Sequence, residues 1–586
     1  MTYQAPLRDM QFILDHLAGF EAVSALPGCE ELSPDLAAAV LEEAAKFAAG
    51  VLAPLDRPGD LQGCRLEDGR VITPDGWQEA YRQFAEGGWV GLAMSAEHGG
   101  QGLPKILATP VNEMWHAANL SFSLLPPLAV SAAEALRHAA SERMRDTYLP
   151  KLASGEWTGT MALTESQAGS DLAAIRTRAE AQADGSYRLF GQKIFITYGD
   201  HELAENIVHL VLARTPDAPP GVKGISMFVV PKFLVGADGS LGARNDVHCI
   251  ALEHKLGLHA SPTCVMSFGE AGGAIGQLVG EQGRGLEYMF VMMNEMRFGT
   301  GLQGPALAEC AYQQAVAYAR ERIQGRDREG QPAPIIRHAD VKRMLLTMRA
   351  LLMAARTLAY SAAGWFDIAA RHPDAAVADR HRRLVDLLMP VLKGWLTEVG
   401  NEVCGLAVQI HGGAGFVEET GIAQRYRDVR ITTIYEGTTG IQAGDLVGRK
   451  ILRERGATLT TLLADWREFA GELAAAGLGG LGSRLAAAVD GVEGTLRWIL
   501  DGGNERLAEV QAASVPVLRQ IGLVCGAWQM ARAALAARRL GDDAYHRGIV
   551  ELAEFYFAHL LPQATAWAAA ARDSAGLCTG FDDALL

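Results

Sequence analysis

"RDVRITTIYEGTTGIQ", residues 427–442, sets one carboxylate, Glu436, between an apolar stretch and a Gly/Thr turn. Before it run Ile431, Thr432, Thr433, Ile434 and Tyr435; after it come Gly437, Thr438, Thr439 and Gly440. The nearest cation in the chain is Arg430, at the edge of the stretch. Alone, "YEG" reads as a surface-loop carboxylate. What surrounds it decides whether that reading stands.

Outward from this stretch the chain changes texture in blocks. Immediately upstream, 284–455 carries long helical patterns such as "VKRMLLTMRALLMAARTLAYSAAGWF" and "LVDLLMPVLKGWLTEVGNEVCGLAVQI", with apolar residues at three- and four-residue steps. Between about 155 and 280 the runs shorten and become rich in Ile, Val and Phe: "YRLFGQKIFIT", "NIVHLVLART", "GISMFVV". Gly, Pro and Asp turns separate them, which is a strand signature. Residues 7–150 read as helices again, and Ser33-Pro34 is a cap and first-turn pair. Beyond Gly456 an Ala- and Leu-rich segment continues to the end. It holds ten Arg, no Lys and fifteen Asp plus Glu. The expected fold is α+β and mainly helical. An N-terminal helical domain (1–157) precedes a central β-barrel or sandwich domain (158–280). A C-terminal four-helix bundle (281–455) and an additional helical domain (456–586) follow.

Bulk composition is that of a globular chain: 586 residues, 49% hydrophobic, 21% charged, net charge −15. That acidity argues against a general nucleic-acid binder, which needs a basic face. The eight cysteines form no CxxC or Cys/His cluster, so free thiols are expected and no metal site. The polar start lacks a secretory pattern, and no apolar run is long enough to span a bilayer. A cytoplasmic protein is expected.

Five pieces carry chemistry. "MALTESQAGSDLAA" (161–174) offers hydroxyls and backbone amides in a loop before the β-domain, and such a loop can hold a polar heterocycle or a phosphate. In "GQKIFITYG" (191–199), strand alternation places Phe195 and Thr197 on one face. "QIHGGAGF" (409–416) has close-approach glycines, but no strand precedes it and its spacing is not a dinucleotide fingerprint. Arg297 in "NEMRFG" lies within a helical pattern and reads as solvated or ion-paired. "RERIQGR" (320–326) puts cations at a helix C-terminus. Taken singly, each also fits a cap, plain sheet packing, a tight turn or a solvated face.

In this order, over about 80–455, the pieces resemble the acyl-CoA dehydrogenase family. "GGWVGLAMSAEHGGQGLP" (87–104), "ALTESQAGSD" (162–171), "GQKIFITYG" and "GEQGRGLEYM" (280–289) are similar to successive family motifs. "QIHGGAGF" followed by "RYRDVRITTIYEGTTGIQ" is the most specific match, with 27 positions from Gln409 to Glu436.

The resemblance implies non-covalent FAD and removal of an acyl-CoA α-hydrogen as a proton, while a β-hydride goes to flavin N5. Glu436 is then the base, and the apolar neighbourhood has a purpose: lost hydration raises its proton affinity. The thioester carbonyl is expected to bond a flavin ribityl hydroxyl and the Glu436 N–H, an oxyanion-type site. Some relatives carry the base at the position of Arg297, and an Arg there strengthens the choice of Glu436. By the same resemblance Leu163, Thr164, Gly169 and Ser170 approach the flavin, with Ser170 also near the CoA part. Phe195 and Thr197 cover the ring. Arg322, Gln324, Gln409 and Gly413 hold the pyrophosphate and adenine end, and Thr438 bonds the FAD. Ser170, Arg297, Tyr435 and Gly437 are expected on the substrate side. "RIQGRD" lacks the Phe that is frequent in this family motif.

Because the FAD site draws on two subunits in the family, at least a homodimer is expected, with electron-transferring flavoprotein as acceptor. The extension beyond 456 resembles a longer subfamily, which favours short- to medium-chain substrates, including a thioether-bearing propionyl group. Three readings compete. An acyl-CoA oxidase would use O₂, a nitroalkane-oxidase-like enzyme would carry Asp at the base, and a flavin-containing DNA-binding relative would need a basic extension.

Overall fold

The computed structural model describes residues 3–236, 238–503 and 505–586. The expected order holds: an N-terminal helical part, a strand-rich middle, long bundle helices and a helical extension. Ser33 caps the helix Pro34–Phe47 by accepting from the Leu36 N–H at 3.1 Å, a contact of about 1 kcal/mol. One feature departs from the all-helical reading of 7–150. Strands Arg65–Glu67 and Arg70–Ile72 form a hairpin, and its turn residues Asp68 and Gly69 both have positive φ, as a two-residue hairpin turn requires.

The middle part centres on an eight-stranded mixed sheet. Its order is Val247–Leu252, Thr263–Phe268, Tyr187–Thr197, Ala274–Val279, Ile225–Pro231, Asn206–Arg214 and Trp157–Ala162. Arg178–Ala181 pairs with both Tyr187–Thr197 and Asn206–Arg214. Asn206–Arg214 and Ile225–Pro231 are buried along nearly their whole length, so they read as continuous apolar runs rather than alternating ones.

Three long helices, Gly285–Glu321, Ala339–Arg371 and Ala375–His411, make the bundle. Thr439–Asp445 and the π-turns Leu446–Leu452 supply a shorter fourth rod. The first and third helices touch through glycine. A methyl at Gly304 would lie 2.1 Å from the Leu396 carbonyl oxygen, so only a side-chain-free position permits this approach. The same approach, continued at Gly301 beside Lys393, brings Arg297 and Gln303 of the first helix alongside Lys393 of the third.

The extension packs its helix Ser514–Leu540 on the bundle. Trp395 of the third bundle helix fills a notch where a methyl at Gly522 would come within 2.3 Å of it. Arg532 of the same extension helix donates to the carbonyl of Leu17 (2.5 Å) and to Ser361 Oγ (3.0 Å), tying extension, N-terminal part and bundle together. Arg356 lies at the centre of a second buried tie. It donates to Glu113 (2.5 Å) and Glu309 (2.7 Å) and is itself fully buried. No described helix is long and apolar enough to cross a membrane.

Candidate active site

Glu436 occupies a left-handed backbone position, φ 54°, followed by Gly437 at φ 90°. A non-glycine residue there is strained by about 1 kcal/mol or more, so neighbours must hold it. Three contacts do so. Gln442 Nε2 donates to the Glu436 carbonyl at 3.0 Å. Lys393 Nζ donates to the Gly437 carbonyl at 2.6 Å. Thr438 Oγ1 accepts from the Ile441 N–H at 3.2 Å, capping the helix that follows. Among the described residues the Glu436 N–H has no protein acceptor, which leaves a donor at the turn.

The electrostatics come from residues distant in sequence. Burial pushes the half-buried Glu436 carboxyl up to about 7, against the opposing pull of Lys393 and Arg297. Burial also draws the Lys393 ammonium down to about 8, while Glu436 and Glu398 favour its charge and Arg297 opposes it. Arg430, the nearest cation in sequence, turns away and donates to Thr433 Oγ1. Arg297 is not solvated: its side chain is 12% exposed, 4.0 Å from Asp445. Tyr435 donates to Gln303 on the first bundle helix. A carboxylate near neutral affinity, fixed by buried partners, is equipped to take a proton at physiological pH.

The other expected residues fall into two groups. Leu163 and Thr164 lie against the strand Tyr187–Thr197. The Thr164 carbonyl accepts the Ile194 N–H at 2.9 Å and the Leu163 carbonyl accepts Lys193 Nζ at 2.9 Å. Gly169 and Ser170 are exposed on the same loop. Phe195 is 59% exposed and Thr197 half-buried, but not through simple alternation. Phe195 has φ 59° and occupies a bulge where the pairing with Thr263–Phe268 slips; an extra residue there re-aims its ring.

The second group gathers at the far end of the bundle. Arg322 and Gln324 lie on an exposed hairpin after the first helix, and Gln409 and Gly413 lie, exposed, at the end of the third. Tyr318 stacks on His411 at 4.3 Å and joins these two ends. Among the described residues no hydrogen bond links the two groups. Beside the Glu436 turn, a cleft of about 500 Å³ is lined by Asn401, Arg430, Thr433, Thr438 and Thr439, with Tyr426 on its wall. Guanidinium, amide and hydroxyl donors next to a flat aromatic suit phosphates and ribose.

Sequence reasoning missed three supports. Lys393 is the first. Glu165 is the second: this buried carboxylate accepts from Lys193 Nζ (2.8 Å), Thr177 Oγ1 (2.6 Å) and the Arg176 N–H (2.7 Å). Despite burial, Lys193 and these donors hold it at about 2, so it is an anchor for the 163–170 loop. Asp428 is the third: it accepts the Leu258 N–H at 2.6 Å and ties the strand domain to the Glu436 segment. The signal for Lys193 and Lys393 was a lone lysine inside an apolar run, which needs a partner.

Comparison with known proteins agrees with this architecture along the whole chain. Family models match at 34–156 (acyl-CoA dehydrogenase, N-terminal domain), 160–271 (middle domain) and 283–452 (C-terminal domain). A fourth, acetyl-CoA dehydrogenase C-terminal like, matches 453–582. The 3-methylmercaptopropionyl-CoA dehydrogenase of Ruegeria pomeroyi is 46% identical over 97% of this chain and 97% of its own length. A butyryl-CoA dehydrogenase of Syntrophomonas wolfei is 33% identical over 96% and 95%. The crystal structure of an acyl-CoA dehydrogenase complexed with FAD from Bacillus anthracis has the same fold. Its TM-score is 0.75 at 22% identity, covering 98% of this chain and 93% of that one. The chain belongs to the acyl-CoA dehydrogenase family of flavoprotein oxidoreductases that act on acyl-CoA thioesters.

Proposed function

We propose that the protein oxidises a short- to medium-chain acyl-CoA, with a 3-methylmercaptopropionyl-type thioester the leading candidate, to its trans-2-enoyl-CoA, with Glu436 as the base. The observation that carries this reading is the Glu436 turn. A carboxyl pushed up to about 7 sits beside a backbone N–H that no protein group occupies among the described residues. Glu436 takes the α-proton, and its own N–H steadies the charge that develops on the thioester oxygen. Lys393 and Gln442 keep the turn in place while the proton moves. Tyr435, held by Gln303, and Arg297 shape the substrate side, with Gly437 in the turn and Ser170 toward the CoA part. FAD, when bound, supplies the acceptor for the β-hydride.

The cofactor residues are those of the two groups: Leu163, Thr164, Gly169, Ser170, Phe195 and Thr197 about the ring, with Thr438 beside the cleft. Arg322, Gln324, Gln409 and Gly413 serve the adenine end of a partner's cofactor, so the working unit is a homodimer. Electron-transferring flavoprotein is the expected acceptor. The substrate preference draws on the thioether-acyl name of the 46%-identical relative. Anaerobic titration of the purified flavoprotein with a panel of acyl-CoAs tests the reading. Bleaching by propionyl-, butyryl- and thioether-propionyl-CoA, strongest for the last, supports it; no bleaching by any member refutes it. Dye-coupled turnover far above turnover with O₂ alone separates a dehydrogenase from an oxidase.

A further inference from the structure

An ion pair links the helical extension to the segment that carries Glu436. Arg519, on the extension helix Ser514–Leu540, donates to Glu398 Oε2 at 3.0 Å. The other oxygen, Glu398 Oε1, accepts from Thr439 Oγ1 at 2.7 Å. Thr439 opens the short helix three residues after Glu436. The Arg519 guanidinium also lies 5.0 Å from the ring centroid of Trp567, on a second extension helix, Gln563–Asp573, so two extension helices fix its aim. Beside it Leu518 packs so closely on Gly394 that a methyl there would come within 2.7 Å.

The placement has an electrostatic consequence. Glu398 is the one carboxylate among the residues that line the cleft beside the Glu436 turn. An unpaired carboxylate would repel a diphosphate in that cleft. Arg519 neutralises it and also faces Glu402, one helical turn on. Lys393, on the same helix, is another cation close to Glu398, but its ammonium is committed to the Gly437 carbonyl, and Arg430, which lines the same cleft, donates to Thr433 Oγ1.

We propose that Arg519 of the extension is a positioning residue for the cofactor: it neutralises Glu398 and keeps it turned toward Thr439, so that the extension completes the cleft for the diphosphate–adenosine end of FAD. The inference rests on the FAD assignment and on this cleft receiving that end, and not on the acyl-CoA chemistry.

The test is FAD titration into apo-protein, read by flavin fluorescence with no acyl-CoA present. Arg519→Gln is expected to raise the FAD Kd about tenfold, and Arg519→Lys by less than about threefold, as loss of a charge partner predicts. Glu398→Gln keeps the acceptor for Thr439 and removes the repulsion, so its Kd stays equal to or tighter than wild type. The double variant R519Q/E398Q returns to within about threefold of wild type. Arg380→Gln breaks a different pair between bundle and extension, Arg380–Asp465 at 2.9 Å, and leaves FAD binding unchanged. An unchanged Kd in R519Q overturns the proposal, as does a double variant as weak as R519Q. If R519Q does not fold, E398Q alone decides, because weakened FAD binding there means the pair is needed for itself and not for neutralisation. Wild-type protein that binds no FAD overturns this inference and the proposed function together. FAD binding that follows these trends without bleaching by acyl-CoA refutes the proposed reaction alone.

Discussion

Lys393 donates a 2.6 Å hydrogen bond to the carbonyl of Gly437, so a fully buried ammonium group clamps the residue that follows the candidate base. The same charge pulls the Glu436 carboxyl down against its burial. Lys393→Met removes clamp and charge together. The acid limb of the pH–rate profile then moves up by about one unit, and the rate at pH 7 falls about tenfold or more. Lys393→Arg keeps the charge and shifts the limb less. A Lys393→Met profile with lower rates but an unmoved limb would mean that the lysine holds the turn without tuning the base.

Burial of Glu436 also predicts a pH-dependent stability. Its folded-state value of about 7 lies above its ordinary 4.5, so the folded protein binds the extra proton between those values. The stabilising share is complete below about pH 4.5 and is lost as pH rises through 7, on the order of 1–3 kcal/mol. Glu436→Gln, which keeps the neutral shape, is therefore expected to raise Tm relative to wild type at pH 8 and to match it at pH 4.5. Thermal melts across that range check the sign. An equal difference at both pH values contradicts a buried, raised carboxyl.

The Glu165–Lys193 pair is predicted to be an anchor and not a site. Lys193→Met leaves a buried carboxylate without its counter-charge, which costs about 3–5 kcal/mol. The 163–170 loop should loosen, so the variant should purify with a lower Tm and less flavin. Full flavin content at unchanged Tm would show that the loop is held elsewhere.

The extension should be sensitive at Gly522. A methyl there meets Trp395 at 2.3 Å, and overpacking of this kind costs about 1–3 kcal/mol. Gly522→Ala is expected to lower Tm and to speed proteolysis within 457–586 before the bundle is cut. Wild-type cleavage kinetics would contradict the tight docking of helix Ser514–Leu540.

Much of this was legible in the sequence because it is local. Ser33 caps its helix, "NIVHLVLART" and "GISMFVV" are strands, and the glycines at 412, 413 and 415 lie in a turn between helices. The hairpin at 65–72 was readable too, since Asp68-Gly69 is a strong turn signal, but it lies in a block otherwise helical. The rest depends on contacts no local pattern encodes. Lys393 is 43 positions before Glu436, and it meets the turn where the helix Thr439–Asp445 packs on the third bundle helix, with Gln442 beside Gly394. Strand alternation puts Phe195 and Thr197 on one face but does not show the bulge that re-aims the Phe195 ring. For Arg297 the sequence leaves open a solvated or an ion-paired side chain, because helical periodicity says which face a residue takes and not that Asp445 lies opposite; the ion-paired reading holds.

The most direct measurement is anaerobic addition of a short-chain acyl-CoA to the flavin-loaded Glu436→Gln variant, followed by the flavin absorbance. The amide keeps the size of the side chain and cannot accept the α-proton, so normal flavin content is expected with bleaching slowed by about a thousandfold or more. Bleaching at the wild-type rate would place the base on a residue other than Glu436.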